Sequence, residues 1–242
     1  MLEWIARGLR KGVVTTRYPR RPEPAPPGFH GLIHVIEAAG AAPGVEDLCP
    51  TGAIAVDDGA IRVERARCIL CGACVAADPA RFRFEAAYET AFPASGTRPL
   101  AQRARPLKRS IHIRHVDAGS DGSEEWEIAA LTNPYYDMQR LGLFFTAAPR
   151  HADILLVTGA VTQAMEAPLR RAWDVMPEPK AIVAAGTDAC SGGFSAVTGE
   201  TAAGVASVLP VDVYVPGSPP TPIALLHGLL LAAGIVTEDA AA

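Results

Sequence analysis

The second half of the chain alternates two hydrophobic patterns. The runs SIHIRHVD, DILLVTG, KAIVAAG and VDVYVPG are apolar and β-rich, and each ends in turn residues. Between them, EEWEIAAL, APLRRAWDVM and PIALLHGLLLA read as helices. Strands alternating with helices predict an open parallel α/β sheet over residues 111–242. Ligands of such sheets bind beyond the carboxyl ends of the strands. The loops of interest are therefore AGSDGSEE, GAVTQA, GTDACSGG and PGSPPTP.

The first half is patterned differently. Residues 30–91 hold short strand-like runs, AIAVDD and AIRVE, between cysteine-bearing loops, which predicts a small ferredoxin-like module. Residues 92–110, FPASGTRPLAQRARPLKRS, have three prolines, five basic residues and no acid, and read as an interdomain linker. In residues 1–29, Leu2, Ile5, Leu9 and Val13 fall on one helical face, with Arg7, Arg10 and Lys11 elsewhere. Such a helix can lie on an anionic membrane or dock on a partner subunit. RYPRRPEPAPPGF, which follows, is too proline-rich for a helix or a central strand and should be extended.

Composition narrows the class. The chain has 242 residues, 49% hydrophobic and 20% charged, as in ordinary soluble proteins. A net charge of −4 gives no nucleic-acid signal. No apolar run reaches the ~18 residues of a membrane-spanning helix. IALLHGLLLAAGIV is too short and contains His227, so a buried helix is expected there. The N-terminus lacks the apolar stretch of a secretory signal. Clustered cysteines without that signal point to a reducing cytoplasm.

The chemistry lies in the cysteines. CILCGACVAADP, residues 68–79, follows the iron–sulfur run C-x2-C-x2-C-x3-C-P until its last ligand, where Asp78 stands. In two-cluster ferredoxins the fourth cysteine of each run serves the other cluster. Cys49, in DLCPTGAI, has the place of the fourth cysteine of an earlier run. The other positions of that run are Ala39, Ala42 and Val45. Ala39, Ala42, Val45 and Asp78 would together have held one cluster. Cys49, Cys68, Cys71 and Cys74 would hold the other, and all four are present. The losses fall on one site and spare its neighbour. Small Gly72 and Ala73 let backbone amides approach the sulfurs. Zinc sites usually present two separated C-x2-C pairs, unlike three cysteines within seven residues.

Other motifs carry less. His112 and His115, three apart on a strand, face opposite sides and do not readily share a metal. GTDACSGG lacks the spacing and lysine of a phosphate loop. Cys190 reads as a small buried hydrophobe. No hydrolase motif is present.

Longer stretches carry a resemblance. APRHADILLVTGAVTQAM, LRRAWDVMPEPKAIVAAG and LPVDVYVPGSPPTPIALLHGLL closely resemble the small electron-transfer subunit of membrane-bound nickel–iron hydrogenases, and the cluster-bearing subunit of respiratory complex I is similar. The likeness covers about residues 110–235. Residues 12–85, with VTTRYP, PPGFHG and CPTGAI, look like the ferredoxin-type subunit of the same complexes. The chain thus resembles a fusion of the two: a ferredoxin-like 4Fe-4S module followed by a flavodoxin-like open parallel α/β sheet domain. The resemblance implies that Arg150 and His151, in PRHAD, serve a subunit interface. It also implies a 4Fe-4S cluster in the second half, whose four cysteine positions fall at Asp121, Glu124, Asp188 and Ser218. Oxygen donors suit such clusters poorly. That pocket is expected to be vestigial and filled by water and ion pairs, with a hard cation such as Mg²⁺ as the alternative.

The expectation is an electron-transfer subunit of a membrane-associated, complex I-like or hydrogenase-related oxidoreductase. It would carry one 4Fe-4S cluster and no complete catalytic site of its own. Its expected partners are a large-subunit homologue and membrane subunits. It would meet the membrane surface through them or through the N-terminal helix, peripherally, on the cytoplasmic side of the cytoplasmic membrane. The alternatives are a structural assembly subunit whose α/β half has lost its cluster, and a free-standing ferredoxin with a flavin or metal on that half.

Overall fold

The structure, a computed structural model, describes residues 3–36, 43–100, 110–197 and 199–237. Leu2, Ala39, Ala42 and linker residues 101–109 lie outside these. An N-terminal helix α1 (Glu3–Lys11) leads into an irregular strap. The first compact unit pairs β1 (Ile33–Val35) antiparallel with β4 (Phe82–Phe84), and β2 (Ile54–Asp57) with β3 (Ala60–Val63). The β2–β3 turn is Asp58–Gly59, both at positive φ, as a two-residue hairpin requires. Helix α2 (Ala73–Ala77) follows the cysteine loop. Val45, Ile54 and Phe82 are its buried core.

The second unit is built on a six-stranded sheet. It takes up β5 (Phe92–Pro93), β6 (Ile111–Asp117), β7 (Leu143–Phe145), β8 (Ile154–Thr158), β9 (Ala181–Ala185) and β10 (Val213–Val215) in the order β5-β10-β9-β8-β6-β7. All neighbours are parallel except the β10–β5 pair. Helices α3 (Ser123–Ala130), α4 (Gln163–Asp174), α5 (Thr187–Ser191) and α6 (Pro222–Ala233) connect and cover the strands. The predicted open parallel α/β architecture is therefore present. Every residue of β8 and β9 is buried, which explains why these strands read as continuous apolar runs rather than alternating ones.

The apolar run around His227 forms α6, in which every residue is buried. Thr221 caps its N-terminus, accepting from the Ala224 N–H at 3.2 Å, and Gly234 at φ 73° ends it. Burial on all sides suits a helix that is apolar all round.

The chain divides less cleanly than its sequence suggests. Phe92–Pro93, read as linker, is an edge strand of the large sheet, and Leu100 is part of its core. The strap before residue 29 also reaches the second unit. The Thr16 N–H donates to the Tyr135 carbonyl at 2.8 Å, Arg140 donates to the Tyr18 carbonyl at 2.6 Å, and Tyr18 is buried in the α/β core. Proline keeps these segments extended without deciding what they cover.

Candidate iron–sulfur site and the altered pocket beside it

Four cysteines from two segments line one cavity. Cys49 follows a short helical turn at Val45–Leu48, and Cys68, Cys71 and Cys74 occupy the loop into α2. Ile33, Ile54, Val63 and Ile69 supply apolar walls. Sequence spacing had paired Cys49 with a loop nineteen residues away, and the fold brings the two together.

The backbone is arranged for negative sulfur. The Ala53 N–H donates to Cys49 Sγ at 3.1 Å, and the Thr51 hydroxyl lies 3.4 Å away. Burial alone would raise the Cys49 pKa, but the Thr51 hydroxyl and the amides of Ala53, Thr51 and Ile54 together lower it. Burial pushes Cys68 up to about 11, against the pull of the Leu70 amide and with the neighbouring cysteines adding to the rise. Cys74 is raised for the same first reason, with Cys71 and Cys49 contributing. Thiols that disfavour one another's ionisation in an apolar pocket are stable as thiolates only when a cation shares it. The soft donor set, the apolar walls and the N–H···S bonds fit a 4Fe-4S cluster.

Gly72 has a role beyond smallness. It sits at φ 75° before α2, and a Cβ there would run into the Phe84 ring, which stacks on His30 at 4.1 Å. The cysteine loop thus lies directly on strand β4.

Two of the positions read from sequence as former ligands of an earlier cluster make other contacts. Val45 is buried in the module's core. Asp78 caps α2 and pairs with Arg81 at 2.6 Å. A hydrophobic plug and an ion pair stand at two of the four places where a first cluster would have been held.

In the α/β half, three of the four altered positions converge. Glu124, in the first turn of α3, is 2% exposed, and burial raises its pKa, with Asp121 and Asp188 adding to the rise. Asp188, in α5, is raised by burial and then by Asp121. Asp121 is exposed, and hydrogen bonding to Ser123 lowers its pKa. Ser123 donates to Glu124 at 3.2 Å, while the Ser120 hydroxyl donates to Glu125 and lies 3.4 Å from Glu124. Ser218 is exposed on the last loop. Among the described residues, no group of three or more His, Cys, Asp or Glu side chains is placed to hold a single metal ion. A cuboidal cluster differs, because each thiolate serves its own iron. Cys190, 4% exposed, donates weakly to the Ala184 carbonyl at 3.5 Å. His112 and His115 have separate partners, Asp153 at 3.9 Å for the first, Thr158 at 3.0 Å and Glu125 at 3.4 Å for the second.

One residue ties the two sites together. Thr187, fully buried, donates through its hydroxyl to the Cys68 carbonyl at 3.0 Å and accepts from the Gly217 N–H at 3.1 Å. It therefore joins the cysteine loop to the loops bearing Asp188 and Ser218. Sequence reading singled out GTD for its third residue and passed over the second. Thr51 was missed in the same way, because a hydroxyl two residues after a cysteine carries no distinctive spacing.

The family described as NADH ubiquinone oxidoreductase, 20 Kd subunit, matches residues 122–232, and a 4Fe-4S single cluster domain matches residues 61–95. Cys49 lies before that second span. Formate hydrogenlyase subunit 7 of Escherichia coli (strain K12) is 42% identical over 134 residues, which are 55% of this chain and 52% of that protein. The chain thus spans about half the length of that relative. The probable membrane-bound hydrogenase subunit mbhJ of Pyrococcus furiosus is 40% identical over 133 residues, 55% of this chain and 80% of that one. A chain in the solved membrane-bound sulfane sulfur reductase, an archaeal respiratory membrane complex, is 27% identical, with 52% of this chain and 72% of that chain covered at a TM-score of 0.46. No helix among the described residues is long and apolar enough to cross a membrane. With its flavodoxin-like α/β half preceded by a 4Fe-4S domain, the chain belongs to the family of the 20 Kd subunit of NADH ubiquinone oxidoreductase.

Proposed function

We propose that the chain is an electron-transfer subunit of a membrane-associated oxidoreductase related to complex I and membrane-bound hydrogenases. In this reading Cys49, Cys68, Cys71 and Cys74 hold one 4Fe-4S cluster. When bound, that group supplies one-electron redox chemistry. Thr51 and the amides of Ala53 and Ile54 stabilise thiolate charge at Cys49, and the apolar walls exclude water. Thr187 holds the Cys68 segment against the α/β half, so the site has a fixed position relative to whatever docks on that half. The expected partners are a large-subunit homologue and membrane subunits, on the cytoplasmic side of the cytoplasmic membrane.

The observation that carries this reading is the convergence of all four cysteines in one apolar cavity fastened to the α/β half. Anaerobic reconstitution with iron and sulfide, followed by electron paramagnetic resonance of the reduced chain and recovery of partners from membranes, tests it. A chain that takes up no cluster, or one recovered from native membranes without partners, contradicts it.

A second reading is favoured by the altered pocket. Asp121, Glu124, Asp188 and Ser218 offer no soft ligand, while the scaffold around them is intact. In that reading the α/β half serves assembly, and electrons reaching the Cys49–Cys74 site leave by another route.

A further inference from the structure

Beside α1 lies a cleft of about 820 Å³ that neither the cysteine site nor the altered pocket uses. Arg17, Arg20 and Arg21 of the strap and Arg140 of the second unit line it. Its apolar lining comes from Val13, Leu141 and Ile235. Arg140 is anchored by its bond to the Tyr18 carbonyl. The nearby carboxylate of Glu23 is engaged by the hydroxyls of Thr16 and Tyr135. The cleft is therefore a concave, positively charged surface with an aliphatic lining.

Helix α1 continues the same surface. None of its residues is buried, and its apolar arc of Ile5 and Leu9 faces outward, the two 41% and 81% exposed, with Val13 in the cleft itself. Arg7, Arg10 and Lys11 lie on the other side of the helix, and Trp4, three and seven residues before Arg7 and Lys11, shares that side. From Glu3 to Glu23 the chain carries six basic side chains and only those two acids.

We infer that α1 and the four-arginine cleft together form a docking site for an anionic phospholipid bilayer, with lipid phosphates in the cleft and the Ile5–Leu9 face among the acyl chains. The inference rests on the subunit reading above and adds to it a lipid contact made by this chain itself. An acidic protein surface would satisfy the arginines and leave the apolar arc in water. A bilayer satisfies both, because charge and hydrocarbon lie within one interfacial layer.

The test is co-sedimentation of the reconstituted full-length chain with vesicles, with iron content measured in the same samples. The chain should pellet with phosphatidylcholine–phosphatidylglycerol vesicles and not with phosphatidylcholine alone, and added salt should release it. Each of Arg17→Gln, Arg20→Gln and Arg21→Gln should lower partitioning about fivefold, and Leu9→Asp should abolish it. Arg83→Gln, on β4 away from the cleft, should change nothing. Inorganic phosphate should release the chain no better than chloride at equal ionic strength. Equal binding to neutral vesicles, or wild-type binding by the arginine variants, overturns the cleft's role. Stronger release by phosphate makes the cleft a site for the free anion and overturns the lipid assignment. A chain that keeps its iron and recovers partner subunits, yet ignores anionic vesicles, overturns the lipid contact and leaves the subunit reading standing.

Discussion

The Thr187 hydroxyl, itself fully buried, donates to the carbonyl of the half-buried Cys68 across the boundary between the two halves, at 3.0 Å. The same oxygen accepts from the Gly217 N–H at 3.1 Å. A single buried hydroxyl thereby satisfies a cysteine-loop carbonyl and an amide of the last α/β loop. Thr187→Val keeps the shape and removes both bonds. Leaving buried polar groups unpaired costs about 1–3 kcal/mol each. Chemical denaturation should show a lowered midpoint and earlier iron loss for Thr187→Val, with Thr187→Ser close to wild type. Equal midpoints for Val and Ser would mean that the hydroxyl contributes nothing across this boundary.

The cysteine set predicts an iron count. One site with four thiolates should hold about four irons per chain, where three intact sites would hold about twelve. Cys49→Ala should lose most of the iron despite the distance of Cys49 from the loop in sequence. Cys190→Ala should keep it, because Cys190 is buried elsewhere beside Ala184. Eight or more tightly bound irons would show that carboxylates ligate a second cluster.

Gly72 should resist substitution. Gly72→Ala places a methyl against Phe84 at a φ of 75°, where an L-residue is strained by about 1 kcal/mol before the clash is counted. The expected result is reduced iron uptake on reconstitution, partly restored when Phe84→Leu opens the space. Restoration should fail if the glycine serves only the approach of amides to sulfur, as the sequence alone suggested.

The altered pocket predicts a pH dependence. Burial holds the Glu124 carboxyl above the usual 4.5, and Asp121 and Asp188 push the same way. The folded state therefore binds the Glu124 proton more tightly than the unfolded chain does. Its contribution is fully present below the unfolded pKa and is lost as pH rises through the folded one. Asp188 behaves alike, whereas Asp121, held below 3.8 by Ser123, contributes above its unfolded pKa and loses that contribution on acidification. Glu124→Gln should thus raise the melting temperature at neutral pH and lose the advantage near pH 4.5. An unchanged melting temperature at neutral pH would mean that Ser123 and solvent fully compensate the buried charge.

Val45 and Asp78 provide a contrast. Val45→Ala removes buried hydrocarbon and should cost about 2 kcal/mol. Asp78→Asn breaks the pair with Arg81 and should cost about 1 kcal/mol or less, since both side chains retain some exposure. Thermal melts of the two variants should keep that order.

Much of this protein was legible in its sequence, for identifiable reasons. Strands β8 and β9 and helix α6 announce themselves because elements buried on all sides need unbroken apolar runs, and β6 and β10 because buried β-branched positions alternate with partly exposed ones. The cysteines were legible because a shared cluster would impose its spacing on the chain, and Cys49 and the Cys68–Cys74 loop, apart in sequence, line one cavity. What the spacing could not carry was anything settled between distant segments. That Phe92–Pro93 would join the large sheet, that Tyr18 would enter the α/β core and that Arg140 would face Arg17, Arg20 and Arg21 depended on which surfaces met. Extended proline-rich chain has no local preference for a neighbour. The bond from Thr187 to Cys68 belongs to the same class: a threonine hydroxyl has no sequence signature, and only the packing of the cysteine loop onto α5 gave it a partner.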